Sequence, residues 1–381
     1  PFSTMPAIKA PIFSVSISAV LLFGIMNSCF SNTKEGVIPE QKDSVVFAIA
    51  ETTPVVSVKG EDAADDPAIW VNSNDPSKSF IIGTNKKGGL CVYKINGEEI
   101  FYAPVGNVNN VDLRYGFPLS NRKVDIIATT NRTYNTLQIF TISPETGVLT
   151  DITRDTLKST LKEVYGIAMY KSKISNKYFA FISGKFGGVE QWELKATNNE
   201  GITARIVRKL SIGSQSEGLV ADDETGMLYV AEEKRGIWRF NAEPDSSDMK
   251  VIIASSDSLN PKISYDLEGL AIYYAKNSKG YLIASSQGNN SYSIFEREEP
   301  NRYLGSFKVG VGTIDEVEET DGLDVCNTYL GEKYPNGIFI VQDGVNTDKL
   351  DTLNQNFKIV VWKDIANLFN PQLIIDTSYL Y

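Results

Sequence analysis

Six short polar signatures recur at the ends of apolar runs in this chain: Thr84-Asn85-Lys86-Lys87, Thr130-Asn131-Arg132, Ser183-Gly184-Lys185, Ala231-Glu232-Glu233, Ser286-Gln287-Gly288 and Gln342-Asp343-Gly344. A second set, Asp65, Asp66, Asp112, Tyr165, Glu217, Asp266, Glu268 and Asp321, stands at or near the starts of apolar runs. If the fold brings equivalent positions together, three basic contributions face a group of acids and amides. Fixed cations suit phosphate oxygens, and an arginine can hold two at once. Carboxylates with amide oxygens suit a hard divalent cation, and calcium takes about six to eight such ligands. A phosphate ester bridged between the two halves satisfies both. Any one of these residues alone reads as a solvated turn charge; the set at equivalent positions reads as a site.

A repeat can bring them together. In the stretch Ser211 to Phe240, Glu217-Gly218 is followed by an apolar run, the turn Asp223 to Gly226, a second apolar run from Met227 to Ala231, and a third from Gly236 to Phe240. That pattern predicts a β-hairpin extended to a meander. It returns at Asp66-Pro67, Val111-Asp112, Tyr165-Gly166, Glu268-Gly269 and Asp321-Gly322, so markers at 67, 112, 166, 218, 269 and 322 are spaced by 45, 54, 52, 51 and 53 residues. A period of about fifty with several short strands per unit predicts an all-β, six-bladed β-propeller of about four strands per blade. A β-sandwich with coincidental spacing is the plainer alternative. The last run, Phe357 to Trp362, needs an outer partner, and an N-terminal strand from Val45 to Ala50 or Val55 to Val58 would close the ring and remove the exposed edge.

Residues 45–381 are read as one propeller domain. Ahead of it, the apolar run Ile12 to Met26 behind the single charge Lys9 has the length of an export-signal core and is short for a membrane span. Residues 1–28 therefore read as a signal peptide. Ile25-Met26-Asn27-Ser28-Cys29 resembles a loose lipobox, so Cys29 is a candidate lipid anchor, with plain secretory cleavage as the alternative and 29–44 as a polar tether. The protein is expected to be exported, as an outer-membrane-anchored lipoprotein or a periplasmic or extracellular protein. Its formal net charge of -10 argues against nucleic acid and anionic membrane as partners. Membrane contact is expected only through Cys29, and the domain is expected to act as a monomer. Cys91 and Cys326 read as buried thiols in different units.

The chain has no histidine. That excludes histidine phosphoenzymes, serine or cysteine nucleophiles served by a histidine base, and histidine-ligated zinc or iron. Acid and base work would fall to carboxylates, Tyr, Lys or metal-bound water. Adjacent Asp65 and Asp66 should face opposite sides of a strand, whereas Asp266 and Glu268 share a face, and carboxylates so close favour a cation between them. The loop Thr313 to Asp324 is dense in acids, including Asp315, and lacks the spacing of an EF-hand. Asp343, Asn346, Asn354 and Gln355 offer further oxygens.

These motifs closely resemble those of the bacterial β-propeller, or alkaline, phytases over about Glu51 to Trp362. The match is carried by DDPAIW at 65–70, TNKKGGLCVY at 84–93, NNVDLRYGFPL at 109–119, EVYG at 163–166, SQSEGLVADDETG, LYVAEE, DLEGLAIYYA at 266–275, SSQGNNSY at 285–292, TDGLDV at 320–325 and NQNFK at 354–358. The resemblance implies calcium-dependent release of phosphate from myo-inositol hexakisphosphate, of the 3-phytase type, with the calcium-phytate complex as substrate and neighbouring cleavage and affinity sites. It implies phosphate-gripping by Lys86, Lys87, Arg132, Tyr165 and Lys185, and active-site calcium ligands among Asp65, Glu217, Glu232, Asp266, Glu268 and Asp321. Asp66, Asp315, Asp343 and Asn346 correspond to structural calcium ligands. Phe186 to Val189 replaces a more acidic stretch, and Val345 stands where a carboxylate is common. The expected mechanism is in-line attack on phosphorus by a calcium-held water, with the basic residues stabilising phosphate charge and Glu217 assisting deprotonation. A calcium-dependent propeller lactonase or esterase, and a non-catalytic binding propeller, are the alternatives.

Overall fold

Besides Pro1, the computed structural model describes residues 40–41, 45–255, 263–349 and 351–379. Chain contacts separate Pro1–Val37 from a unit spanning Ile38–Tyr381, and the propeller belongs to the second. The expected signal peptide, Cys29 and all of the tether except Glu40-Gln41 lie outside the described residues. Among the described residues no helix is long and apolar enough to cross a membrane.

Six antiparallel sheets follow one another along the chain among the described residues. Their inner strands are Ala64–Trp70, Val108–Leu119, Val164–Lys171, Ser216–Asp222, Leu267–Tyr274 and Leu323–Cys326. Burial falls from the inside outward. In blade one every residue of the inner strand and of its neighbour Phe80–Asn85 is buried, whereas the outer strand of blade four, Val251–Ser255, is mostly exposed. Strands buried on both faces explain the continuous β-branched and aromatic runs. The core therefore lies between blades: Tyr170, Phe179 and Phe181 of blade three pack with Leu219, Val230 and Phe240 of blade four. Cys91 and Cys326 are buried, unpaired thiols in blades one and six.

The sixth blade is completed from the N-terminal side. Its strands Leu323–Cys326, Ile338–Asp343 and Asn356–Val361 are joined by Ala50–Glu51, which pairs antiparallel with Lys358 and Ile359. Ring closure thus falls at the end of the first expected segment. Val45–Phe47 instead adds a parallel edge to Tyr303–Gly310 of blade five, and Val55–Val58 forms no strand, with Val56 and Val58 largely exposed.

One local device repeats at the axis. Near the start of the inner strand in blades one to five, two residues oppose one on the neighbouring strand. These β-bulge pairs are Asp65-Asp66, Asn109-Asn110, Tyr165-Gly166, Glu217-Gly218 and Glu268-Gly269. A bulge re-aims a side chain that a regular strand would turn aside. Hydroxyls opposite the bulges pin them: Asp66 N donates to Thr84 Oγ1 at 2.8 Å, Gly166 N to Ser183 Oγ at 2.8 Å, and Ser183 Oγ to Ser216 O of the next blade at 2.6 Å. The glycines permit close approach between blades, since a Cβ on Gly166 would lie 1.8 Å from Glu217 O and one on Gly218 would lie 2.0 Å from Glu268 O. The bulges also correct the register of the repeat: the equivalent pair in blade one is Asp65-Asp66 and in blade two Asn109-Asn110, not Val111-Asp112.

Candidate active site

The bulges deliver Asp65, Asn109, Tyr165, Glu217 and Glu268 to one end of the axis. A second ring comes from the residue just after the second strand of each blade. Its backbone N–H donates to the carbonyl two residues before the bulge: Lys86 to Ala63 at 2.7 Å, Arg132 to Asn107 at 2.7 Å, Lys185 to Glu163 at 3.1 Å, Glu233 to Gln215 at 3.2 Å and Gln287 to Asp266 at 2.9 Å. One repeated hydrogen bond therefore brings three cations, one acid and one amide to equivalent positions.

The inner ring is acidic and tightly bonded. Lys86 Nζ lies 2.9 Å from Asp65 Oδ1, 2.8 Å from Asp321 Oδ2 and 2.7 Å from Asp62 Oδ1. Asn109 Nδ2 lies 2.9 Å from Asp65 Oδ2 and 2.5 Å from Glu217 Oε1, while its Oδ1 accepts from Arg132 Nη1 at 3.1 Å. Gln287 Nε2 donates to Asp321 Oδ1 at 2.9 Å. Asn109 and Gln287 were not singled out from the sequence as binding residues; their signal is their place in the repeat.

Burial and mutual repulsion disfavour charge on these acids. Burial, then the Glu217 charge, raises Asp65 to about 8 against the pull of Lys86. Burial, then Asp321, raises Glu217 to about 7. Burial raises Asp321 to about 7, with Lys86 opposing, and Glu233 to about 7, with Gln215 opposing. Glu268 is pushed well above the carboxylate range by burial and by Glu217 and Glu233. Burial alone would lower the Lys86 ammonium, but Asp65 and Asp321 hold it far above its usual value. Burial and the Glu217 charge keep Tyr165 a neutral phenol, a donor and not a base.

Glu217, Glu233 and Glu268 offer oxygens that all lie within 4.8 Å of one another, and all three are buried. Among the described residues Glu233 Oε1 and Glu268 Oε2 have no hydrogen-bond partner. Buried, unpaired and mutually repelling oxygens of this kind fit a hard divalent cation. The half-buried Asp266 adds its charge to Glu233 and Glu268.

Glu232 is placed differently: its carboxylate accepts from Ser214 Oγ at 2.6 Å and from Trp238 Nε1 at 2.7 Å. Of the two neighbouring acids after the second strand of blade four, the one that joins Glu217 and Glu268 in the cluster is Glu233. Glu233→Gln is expected to weaken calcium binding about tenfold or more, measured by titration calorimetry, because it removes a charged ligand. Glu232→Gln should leave that affinity near the parent's; the reverse order would reassign the ligand.

Of the four expected structural calcium ligands, Asp315 and Asp343 come together and Asp66 lies elsewhere. Asp66 is buried at the axis and accepts from Val111 N at 3.0 Å. Asp315 and Asp343 instead close on the buried ammonium of Lys358, whose Nζ bonds Asp315 Oδ1, lies 2.6 Å from Asp343 Oδ2 and donates to Glu316 O at 2.9 Å. Asn346 Nδ2 is spent on Asn354 O at 2.7 Å. Asp112 also leaves the ring, bonding Arg114 Nη1 at 3.1 Å and Met169 N at 2.7 Å further along the axis.

Beside the acids opens a cavity of about 690 Å³ lined by Asp62, Lys86, Lys87, Asn107, Arg132, Asn135, Lys162, Glu163, Tyr165 and Lys185. Five cations against two acids give it a net basic lining, which suits an anion. Lys162 was missed in the sequence, where its loop carried no marker.

The comparisons agree with this geometry. The Phytase family profile matches residues 12–379. A 3-phytase of Bacillus subtilis (strain 168) is 47% identical over 336 residues, covering 86% of each chain. Among solved structures, BBS1N in complex with ARL6DN reaches a TM-score of 0.44 at 10% identity over 80% of each chain. The Myceliophteria thermophila Cps50 (Swd1) propeller domain reaches 0.43 at 11% identity, covering 78% of this chain and 83% of that one. Both are too distant to bear on the assignment. With the axial bulges, the cation-lined cavity and a profile that spans nearly the whole sequence, this chain belongs to the phytase family.

Proposed function

We propose that the chain releases phosphate from myo-inositol hexakisphosphate in a calcium-dependent reaction. The observation that carries this reading is the junction at Lys86 and Tyr165 of the cation-lined cavity with the buried carboxylates. Calcium would be held by Glu217, Glu233 and Glu268, with Asp266 and Asp321 beside them, and when bound supplies positive charge for phosphate oxygens and a polarised water.

The chain's own residues do the rest. Arg132 and Lys185 grip the phosphate and offset the charge that develops on its oxygens. Tyr165, kept neutral, donates a hydrogen bond. Lys86 offsets Asp65 and Asp321, and Asn109 orients Asp65 and Glu217. Water adds to phosphorus as the bond to the inositol oxygen breaks, Glu217 takes the water's proton, and the inositol oxygen leaves as a hydroxyl after taking a proton from solvent. An uncharged-ester substrate would leave the unpaired cations without a role. Export with an anchor at Cys29 belongs to the same proposal, supported by the apolar run 12–26 and the sequence around Cys29.

The test is phosphate release from phytate in millimolar calcium and in excess chelator. Release is expected only with calcium. None from folded protein in calcium would overturn the reading, and release unaffected by chelator would overturn its calcium dependence.

A further inference from the structure

Blade six supplies a ring acid without the device that serves the other five. Its inner strand Leu323–Cys326 pairs with Ile338–Asp343 in unbroken register, so no bulge aims Asp321 at the axis. Asp321 is nonetheless held at each of its polar atoms. Its O accepts from Gly269 N of blade five at 2.6 Å, its Oδ1 accepts from Gln287 Nε2 at 2.9 Å, and its Oδ2 lies 2.8 Å from Lys86 Nζ. Its N donates to Gln342 Oε1 at 2.8 Å, and this is the bond that blade six provides from its own second strand.

Gln342 stands where four other blades carry a hydroxyl. Thr84, Thr130, Ser183 and Ser285 each come two residues before the exit residue of the second strand, as Gln342 does before Gly344, whose N donates to Glu318 O at 2.8 Å. Thr84 and Ser183 accept from the second residue of their own bulge, the one after the ring residue. The longer side chain of Gln342 reaches the ring residue itself. Its main chain is fixed on both sides, since Gln342 N donates to Gly322 O at 2.9 Å and Gln342 O accepts from Thr320 Oγ1 at 2.9 Å.

The amide is fully buried, and its Nε2 has no partner among the described residues. Asp321 N can only donate, so the atom that faces it is the carbonyl oxygen and the NH2 is left over. A buried amide that satisfies one end costs more than an apolar side chain of the same size. Core packing does not call for it, and the one bond it makes goes to the backbone of a ring acid.

We propose that Gln342 is a positioning residue for the reaction: by fixing Asp321 it sets Lys86 where the cation-lined cavity meets the buried carboxylates. The proposal rests on the phytase reading. Lys86 Nζ is aimed by Asp62, Asp65 and Asp321 together, so an Asp321 that drifts lets the ammonium follow the other two. Arg132 and Lys185 are placed by blades two and three and do not depend on Gln342. Loss of the amide therefore leaves the grip on substrate and slows the step that follows binding.

Gln342→Met, which fills the same space without an acceptor, is expected to lower kcat for phosphate release from inositol hexakisphosphate about tenfold while KM stays within about twofold. Gln342→Asn keeps an amide but draws its oxygen back by one methylene, and it should show the same split. Thermal melting reports whether each variant is folded, and the Asn variant carries the test if the Met variant is not. Gln287 acts on the same carboxylate, so Gln287→Met combined with Gln342→Met should lower kcat by less than the product of the two single effects. A folded variant with the kcat of its parent, a loss that falls on KM, or a double variant at the full product would overturn the proposal. Failure of both variants to fold would make Gln342 a structural residue and overturn it too. A parent chain that releases no phosphate from hexakisphosphate would instead overturn the phytase reading itself.

Discussion

Lys358→Met is expected to destabilise the propeller by about 3–5 kcal/mol, because it leaves two carboxylates facing each other around a buried void of charge. Lys358 Nζ has no exposure in blade six, and Asp343 is equally buried. Burial already raises Asp343 above its ordinary value, with Lys358 the chief opposing influence. The remaining oxygens are satisfied from the backbone: Asp343 Oδ1 accepts from Glu318 N at 3.1 Å, and Asp315 Oδ2 from Thr347 N at 2.6 Å. The lysine therefore pins the acidic loop to Asn356–Val361, the strand that Ala50–Glu51 joins to close the ring. Urea unfolding in chelator isolates this term from any bound cation. A variant as stable as its parent there would show that the ammonium holds nothing together. Asp343→Asn combined with Lys358→Met should recover part of the loss, since it removes one of the stranded charges.

The propeller was legible because each blade repeats a short local grammar of a buried strand, a turn, a second buried strand and a polar exit, opened in blades one to five by a bulge pair. Where glycine fills the second bulge position, at 166, 218 and 269, the repeat reads in register, as it does at Gly322 of blade six. In blades one and two, Asp66 and Asn110 take that place, so the marker slips onto Pro67 and Asp112. The exit residues carried a legible signal too. Counting from the strand aligns Glu233, not Glu232, with Lys86, Arg132 and Lys185, and the backbone hydrogen bonds bear that count out. Two neighbouring acids of the same type at a strand end hide the difference, because the side that each faces is set by where pairing stops. Lys358 was illegible for another reason. Its partners lie 15 and 43 residues away, and a lone lysine in an apolar strand reads as an edge or surface residue until the fold brings Asp343 and Asp315 around it. Lys162 sits in a loop with no periodicity, and only the cavity and the Phe186 ring mark it.

With the divalent cation removed, the protein is expected to lose stability as the pH rises from about 4 to about 8. Asp65 and Asp321 start from 3.8 and reach about 8 and about 7 in the folded protein, while Glu217 and Glu233 start from 4.5 and reach about 7. Below the lower values all four are protonated whether the chain is folded or not, and the ring carries no penalty. Through the window the unfolded chain ionises freely while the folded one resists, so folding must hold on to protons or accept buried, repelling charge. Lys86 offsets part of this at Asp65 and Asp321 but lies on the far side of the ring from Glu233. In chelator the Tm should therefore be lower near pH 8 than near pH 5, by on the order of 5 °C or more. The proposed calcium would act in the opposite sense. Bound as proposed, it would take the ionised carboxylates of the folded state, so the rise in Tm that it produced would grow with pH. A chelated protein whose Tm is flat or rises over that range would mean that water or Lys86 already satisfies the acids. The cluster of Glu217, Glu233 and Glu268 would then have no electrostatic need of a cation, and the calcium dependence proposed for this chain would lose its physical basis.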